Sequence, residues 1–196
     1  KTRPVDQRIF LHDEMYDALQ REFLATREAQ WRSVAQILQK HYQKQIDKTR
    51  HQIAELYQPL EEKALPASQE VIRTRARLQD ALVEDLFYRL RYNAYQGFQK
   101  YYLYAEEAIA TADESLDTQL RAELMAFLAE QESLGQSVEI NGLSRNEVMA
   151  DAAVRWVKRL INKGDYDRAI QVARSSAMES LVTPGGIWAR DDLKAW

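Results

Sequence analysis

The sequence contains no cysteine, which excludes disulfides, thiolate metal sites, iron–sulfur clusters and cysteine nucleophiles. Proline and glycine are also scarce, with 4 and 6 residues among 196. Because these two residue types commonly end helices, the chain offers few positions where a helix has to stop. No segment approaches the roughly 20 consecutive apolar residues that a membrane-spanning helix needs. The composition therefore favours an all-α protein without a membrane span, for which cytoplasm is the default location.

Neither sign of charge predominates in the sequence. Lys and Arg total 27 and Asp and Glu total 30, so the formal net charge is only −3. A chain with this balance has no strong long-range field to attract nucleic acid or an anionic membrane, so any electrostatic function must be local. The chain begins at Lys1 instead of Met, and the loss of an upstream targeting segment is compatible with that start.

The first predicted element is a long amphipathic helix between Pro4 and Pro59. Apolar residues recur there every three or four positions, as one face of a helix requires. They are Met15, Leu19, Phe23, Trp31, Val34, Leu38, Tyr42, Ile46, Ile53 and Leu56. A turn is expected between Pro59 and Pro66, since each proline disfavours helix in the residue before it.

A second apolar stripe follows over residues 71–109, and Gly97 is its only weak point. Two long amphipathic helices joined by a short turn bury their stripes by folding back antiparallel. We therefore predict an elongated, coiled-coil-like antiparallel helical hairpin over residues 1–112. A turn near residue 62 should place Leu38 near Phe87 and Tyr42 near Val83.

Additional C-terminal helices are predicted over residues 113–182 and are expected to form a bundle at the base of the hairpin. Asp113 and Ser115 can each cap the start of a third helix, which Gly135 ends. No proline separates this helix from the second one, so a single continuous helix is an open alternative.

The segment around Asn141-Gly142 predicts a turn, and residues 137–143 are the best candidate for a linker. Ser144 and Glu147 then have the spacing of a capping box, in which the two residues satisfy each other's backbone N–H groups. The helix that they open is expected to end at Gly164.

A last helix is expected over about residues 165–181. With Gly164 and Tyr166 at the turn and Ala169 as a small residue in the second helix, the segment 156–176 resembles the junction of a tetratricopeptide repeat. The resemblance occurs once and covers about 20 residues, whereas a solenoid needs about three repeats to bury its faces. What the resemblance implies is therefore a pair of packed helices.

Candidates for catalytic chemistry are few. The three histidines, His12, His41 and His51, lie in the first predicted helix, and none has the Glu-x-x-His spacing of a di-iron bundle. The sequence also lacks a phosphate-binding glycine loop and the G-x-S-x-G nucleophile motif. A Ser/His/Asp triad stays open, because only the fold brings its members together. We expect no enzyme, no metal, no cofactor and no small-molecule ligand.

Basic residues near the tip of the predicted hairpin suggest one electrostatic site. They are Lys44, Lys48, Arg50, Arg73, Arg75 and Arg77. Antiparallel folding would bring the two runs together, where they could hold a phosphate backbone. Acidic residues interleave with them, however, and such alternation is also typical of a solvated helix face. Nucleic acid is therefore the alternative partner and not the first.

Aromatic residues are unusually dense between residues 87 and 104. Some of them must pack internally, but tyrosine also suits a partly hydrated protein interface. The residues predicted to bind a partner are Tyr88, Tyr92, Tyr95 and Tyr102, together with Trp188 and Trp196 in the tail 183–196. The tail could dock within the chain or on another molecule. We thus predict a non-enzymatic helical adaptor or assembly protein that binds another protein or itself.

Overall fold

A computed structural model describes residues 28–57, 68–135, 139–140 and 143–174 of the chain. Within these ranges the structure is a bundle of helices with one very short strand pair, which confirms the all-α prediction. The elements are α1 Glu28–Tyr57, α2 Ser68–Tyr92, α3 Ala94–Ala110, α4 Glu114–Ser133, β1 Glu139–Ile140, β2 Leu143–Ser144, α5 Arg145–Lys163 and α6 Tyr166–Ala173. The predicted start of the first helix and the predicted turn at Pro59 and Pro66 lie outside the described residues.

Helices α1 and α2 pack side by side and run in opposite directions. Tyr42 stacks on Tyr88 with ring centroids 5.8 Å apart, while Gln36, earlier in α1, donates a hydrogen bond to the hydroxyl of Tyr92, later in α2. Tyr42 also hydrogen-bonds to Glu84, the residue after its predicted partner Val83, and the exact predicted register stays a prediction. The antiparallel arrangement follows the sequence interpretation, but the elongated coiled-coil form stays a prediction.

The predicted second helix is interrupted, so its continuity over residues 71–109 is wrong. Asn93 has an extended backbone (φ −153°, ψ 103°), and its side chain accepts a hydrogen bond from the Gln96 N–H. The chain reverses there, and α3 folds back along α2. A Cβ atom at Gly97 would lie 2.5 Å from the Leu90 Cα, so the two helices approach each other as closely as only glycine permits.

A second break separates α3 from α4, and the alternative of one continuous helix is therefore wrong. Ala112 adopts a left-handed conformation with φ 54°. The carboxylate of Asp113 accepts a hydrogen bond from the Leu116 N–H at 3.0 Å, so Asp113 is the N-cap, as one of the two candidates predicted. The helix ends before Gly135, whose φ is 67°.

Of the segment predicted as a linker, residues 139–140 and 143 are described, and Ile140 lies in the core. Ile140 in β1 pairs with Leu143 in β2, and its side chain is 1% exposed. The predicted capping box is confirmed, since the Ser144 N–H donates to the Glu147 carboxylate at 2.7 Å and the Ser144 hydroxyl accepts from the Glu147 N–H. Gly164, with φ 80°, ends α5 as predicted.

One main hydrophobic core joins helices α1 to α5 and therefore crosses the predicted boundary at residue 112. Its most deeply buried members come from α1, α2, α3, α4, β1 and α5. They include Ile46, Leu82, Leu86, Leu90, Tyr101, Leu120, Leu124, Leu128, Ile140 and Val148. A smaller cluster of Trp31, Ala35 and Tyr88 covers the other end of α1 and α2.

Helix α6 packs on α5 through Ala169, which is 4% exposed. This contact gives the helix pair that the repeat-like segment implies. Tyr166 and Ile170, four residues apart on the same helix, stay 62% and 49% exposed. The part of the predicted last helix beyond residue 174 lies outside the described residues.

Candidate functional site

Asp85 is the most deeply buried charged residue of α2, with 0% exposure. One of its carboxylate oxygens accepts hydrogen bonds from the Arg89 Nε at 2.6 Å and from the Tyr104 hydroxyl at 2.7 Å. Burial and the negative charge of Asp85 raise the pKa of Tyr104 well above its usual range. Because Asp85 lies on α2 and Tyr104 on α3, their hydrogen bond connects the two helices.

Arg91 connects α2 to α4 in a similar way. Its guanidinium lies 2.6 Å from the Glu123 carboxylate and 2.8 Å from that of Glu130, and it covers the Phe87 ring at 3.7 Å. The Arg91 side chain is only 8% exposed. An arginine shared by two carboxylates in this way has a structural role, because it is the cationic partner of both carboxylates.

Arg155 forms the corresponding contact between α5 and α3. It bonds to the carboxylates of Asp151 and Glu106, and its guanidinium stacks on the Tyr102 ring at 3.6 Å. Burial opposes its charge, but the carboxylates of Asp151 and Glu106 raise the pKa of Arg155, so the guanidinium stays charged. Lys158 adds a second bond to Glu106, at 2.8 Å.

In the described part of the chain, these buried charged side chains are engaged in ion pairs with each other. There, no group of three or more His, Cys, Asp or Glu side chains could hold a metal ion. His41 and His51 are exposed on α1, and His51 lies 3.2 Å from Glu55. His12 lies outside the described residues.

The basic residues predicted to form one patch are divided between grooves on different sides of α1 and α2. Arg50 and Arg75 line a groove of about 590 Å³ that the end of α3 and the start of α4 close. We call it the α1–α2–α3 groove. Its rim also carries Glu107, which is bonded to Arg50, and Glu114, whose pKa is lowered by the hydrogen bond and the charge of Lys163.

Lys48, Arg73 and Arg77 lie on another side of the helix pair. Arg77 lines both of the grooves found there, one with Lys48 and one with Arg73. The first groove also holds Glu84, whose pKa is raised by burial and by the negative charges of Glu123 and Asp80. Lys44 lines a further groove, beside Tyr92. The six predicted residues therefore do not form one continuous surface.

The aromatic residues predicted to bind a partner are divided in the same way. Tyr88 is 7% exposed and packs on Trp31, with ring centroids 5.8 Å apart. It belongs to the core, because this turn of α2 faces α1, where Tyr88 packs on Trp31 and Tyr42. Tyr92 is half-buried at the same end and accepts its hydrogen bond from Gln36.

Tyr95 and Tyr102 lie on the outer side of α3 and are 42% and 43% exposed. Leu103 adjoins them and is 57% exposed. We call these three residues the α3 face. The sequence interpretation missed Leu103, although positions i, i+7 and i+8 share one side of a helix and this spacing could have found it. Trp188 and Trp196 lie outside the described residues.

Comparison with protein families, curated proteins and solved structures finds no match for this chain. Among the described residues, no helix is both long and apolar enough to cross a membrane.

Proposed function

We propose that the chain is a non-enzymatic helical adaptor that binds another protein through the α3 face. The observation that carries the proposal is the contrast between the two sides of α3. Tyr101, Tyr104, Ala105 and Ala108 are at most 3% exposed, whereas Tyr95, Tyr102 and Leu103 are at least 42% exposed. Large apolar side chains that share one exposed helix face are typical of protein interaction sites.

The α3 face is also held in place, which favours tight binding. The Arg155 guanidinium covers one side of the Tyr102 ring, and the carboxylates of Asp151 and Glu106 fix that guanidinium. The Tyr95 hydroxyl accepts a hydrogen bond from the Gln99 side chain at 2.7 Å. Side chains ordered before binding lose less conformational entropy when a partner covers them.

A photo-crosslinking residue in place of Gln99, which lies between Tyr95 and Tyr102, tests this proposal in cells that express the chain. We expect a discrete cross-linked protein that disappears when Leu103 and Tyr95 are both replaced by Ser. The matched control is Ile170→Ser, since Ile170 is 49% exposed on α6, which packs on α5. Equal loss in the control, with unchanged helicity of both variants, would contradict a specific role of the α3 face.

Nucleic-acid binding is the second candidate, and one observation favours it. Arg77 lines the grooves of both Lys48 and Arg73, so three cations follow one side of α1 and α2. Among the described residues, none of the three forms an ion pair. Three phosphate contacts would give a slope of about −2.7 for the logarithm of affinity against the logarithm of salt concentration on duplex DNA.

Fluorescence anisotropy with labelled DNA at several salt concentrations tests this candidate. Replacement of Lys48, Arg73 and Arg77 by Glu should abolish binding, while Lys40→Glu with Lys44→Glu, in a different groove, should retain most of it. Binding that persists in the triple variant would refute the nucleic-acid hypothesis and leave the adaptor proposal untouched.

A further inference from the structure

We propose that residues 187–196 of this chain dock into the α1–α2–α3 groove of the same molecule. The inference goes beyond the proposed function, because the groove and the α3 face are separate surfaces. It rests on the lining of the groove, on the charges of its rim and on the position of the last described helices.

The groove has an apolar floor that no described segment covers. Ile53, Leu78, Leu82 and Leu116 line it, and Ile72 at its edge is 65% exposed. An open apolar groove of this size accommodates a few large side chains. Residues 187–196 supply Ile187, Trp188, Leu193 and Trp196, the kind of side chains that anchor peptides in grooves.

The rim of the groove carries both signs of charge. Arg50 and Arg75 come from α1 and α2, whereas Glu107, Asp113 and Glu114 come from the end of α3 and the start of α4, and Arg50 and Glu107 form an ion pair with each other. The segment 187–196 carries both signs between its apolar residues: Arg190, Asp191, Asp192 and Lys194. A segment with both signs can pair with rim charges of either sign, and charge complementarity of this kind sets the orientation of a bound peptide.

The end of α5 lies at the groove. Lys163 in its last turn donates a hydrogen bond to Glu114 on the rim at 2.9 Å. Helix α6 starts three residues later, and its 8 residues move the chain away by only about 12 Å. The 13 residues of the stretch 175–187 then span up to about 45 Å when extended. The tail is therefore long enough to return to the groove.

The absence of cysteine makes a single fluorescent label straightforward. Ala76 is exposed on α2 and lines the groove, so we would label Ala76→Cys with bimane, which tryptophan quenches on contact. We expect quenched fluorescence that is relieved by Trp188→Phe with Trp196→Phe and also by Ile72→Glu. The control label at Ala129→Cys, exposed on α4, should respond to none of these substitutions. Trp31 and Trp156 are retained throughout and give a constant background.

Mixing experiments distinguish docking within one molecule from docking between molecules. A labelled chain with Trp188→Phe and Trp196→Phe is mixed with an unlabelled chain that keeps both tryptophans. No new quenching, together with wild-type quenching that is independent of concentration, supports the proposal. Quenching that appears only on mixing would overturn it in favour of a second copy in the groove. Wild-type fluorescence that neither substitution alters would overturn it altogether.

Discussion

Replacing Gly97 by Ala tests the feature on which the fold most depends, the reversal of the chain at Asn93. A Cβ atom at position 97 would meet the Leu90 Cα at 2.5 Å, the Leu90 N at 2.6 Å and the Arg89 carbonyl carbon at 2.9 Å. All three are backbone atoms, so no side chain can rotate away to make room. Accommodating the methyl group requires α2 and α3 to move apart.

The two contributions to stability have opposite signs. Forcing a methyl group into a packed contact costs about 1–3 kcal/mol, and contact with backbone atoms places this case at the upper end. The higher helix propensity of Ala returns about 1 kcal/mol. We therefore expect a net loss of about 2 kcal/mol in the free energy of unfolding. If residues 71–109 formed one uninterrupted helix, the same substitution would stabilise the protein by about 1 kcal/mol.

Urea unfolding followed by far-UV circular dichroism measures this difference. With a denaturant slope of about 2 kcal/mol per molar, a loss of about 2 kcal/mol lowers the midpoint by about 1 M. Gln96→Ala is the matched control, since Gln96 is exposed on the same turn and its truncation should change stability by less than about 0.5 kcal/mol. A midpoint of Gly97→Ala equal to or above that of the wild type would refute the close crossing of α2 and α3.

Three further predictions concern an ion pair, a helix cap and a buried tyrosine. Arg91→Ala should lower the free energy of unfolding by about 3–5 kcal/mol, because it leaves the carboxylates of Glu123 and Glu130 uncompensated. Arg145→Ala, at a more exposed ion pair, is the control and should lower it by at most about 1 kcal/mol in the same urea assay. Asp113→Ala should cost about 1 kcal/mol as the lost cap of α4, measured as a lower thermal midpoint. Burial raises the pKa of Tyr101, so the unfolded chain loses the phenolic proton before the folded chain does as pH rises above about 10. The free energy of unfolding should then fall by about 1.4 kcal/mol per pH unit for this group. Tyr101→Phe should show a correspondingly weaker decline in unfolding midpoints between neutral and alkaline pH.

The local signals in the sequence predicted much of the fold. The helix starts at Asp113 and Ser144 and the helix end at Gly164 depend on side chains or backbone conformations within a few residues, and the structure confirms them. The reversal at Asn93 was missed, because apolar residues keep helical spacing on both sides of it. Asn is itself a favoured N-cap residue, so the signal was present, but it was outweighed by the continuous stripe.

The candidate site was less predictable, because exposure depends on contacts between distant residues. Tyr88 and Tyr95 lie in the same aromatic run and differ little in their local sequence. Tyr88 faces α1 and is 7% exposed, whereas Tyr95 begins α3 on its outer side and is 42% exposed. The basic residues are divided for a simpler reason, since residues two apart on a helix do not face each other, and Lys48 and Arg50 accordingly line different grooves. The exposure of the tyrosines, in contrast, does not follow from helical spacing alone.

The reversal at Asn93 also explains why the segment is so rich in aromatic residues. A helix that packs on a single partner needs one apolar stripe, but α3 contacts α2, α4 and α5 and must be apolar over a wider part of its surface. Tyr101 and Tyr104 serve these contacts and are almost completely buried. Packing of the described helices does not account for Leu103, which still exposes 57% of its surface. Leu103 therefore forms, with Tyr95 and Tyr102, the exposed surface on which the proposed binding of a partner rests.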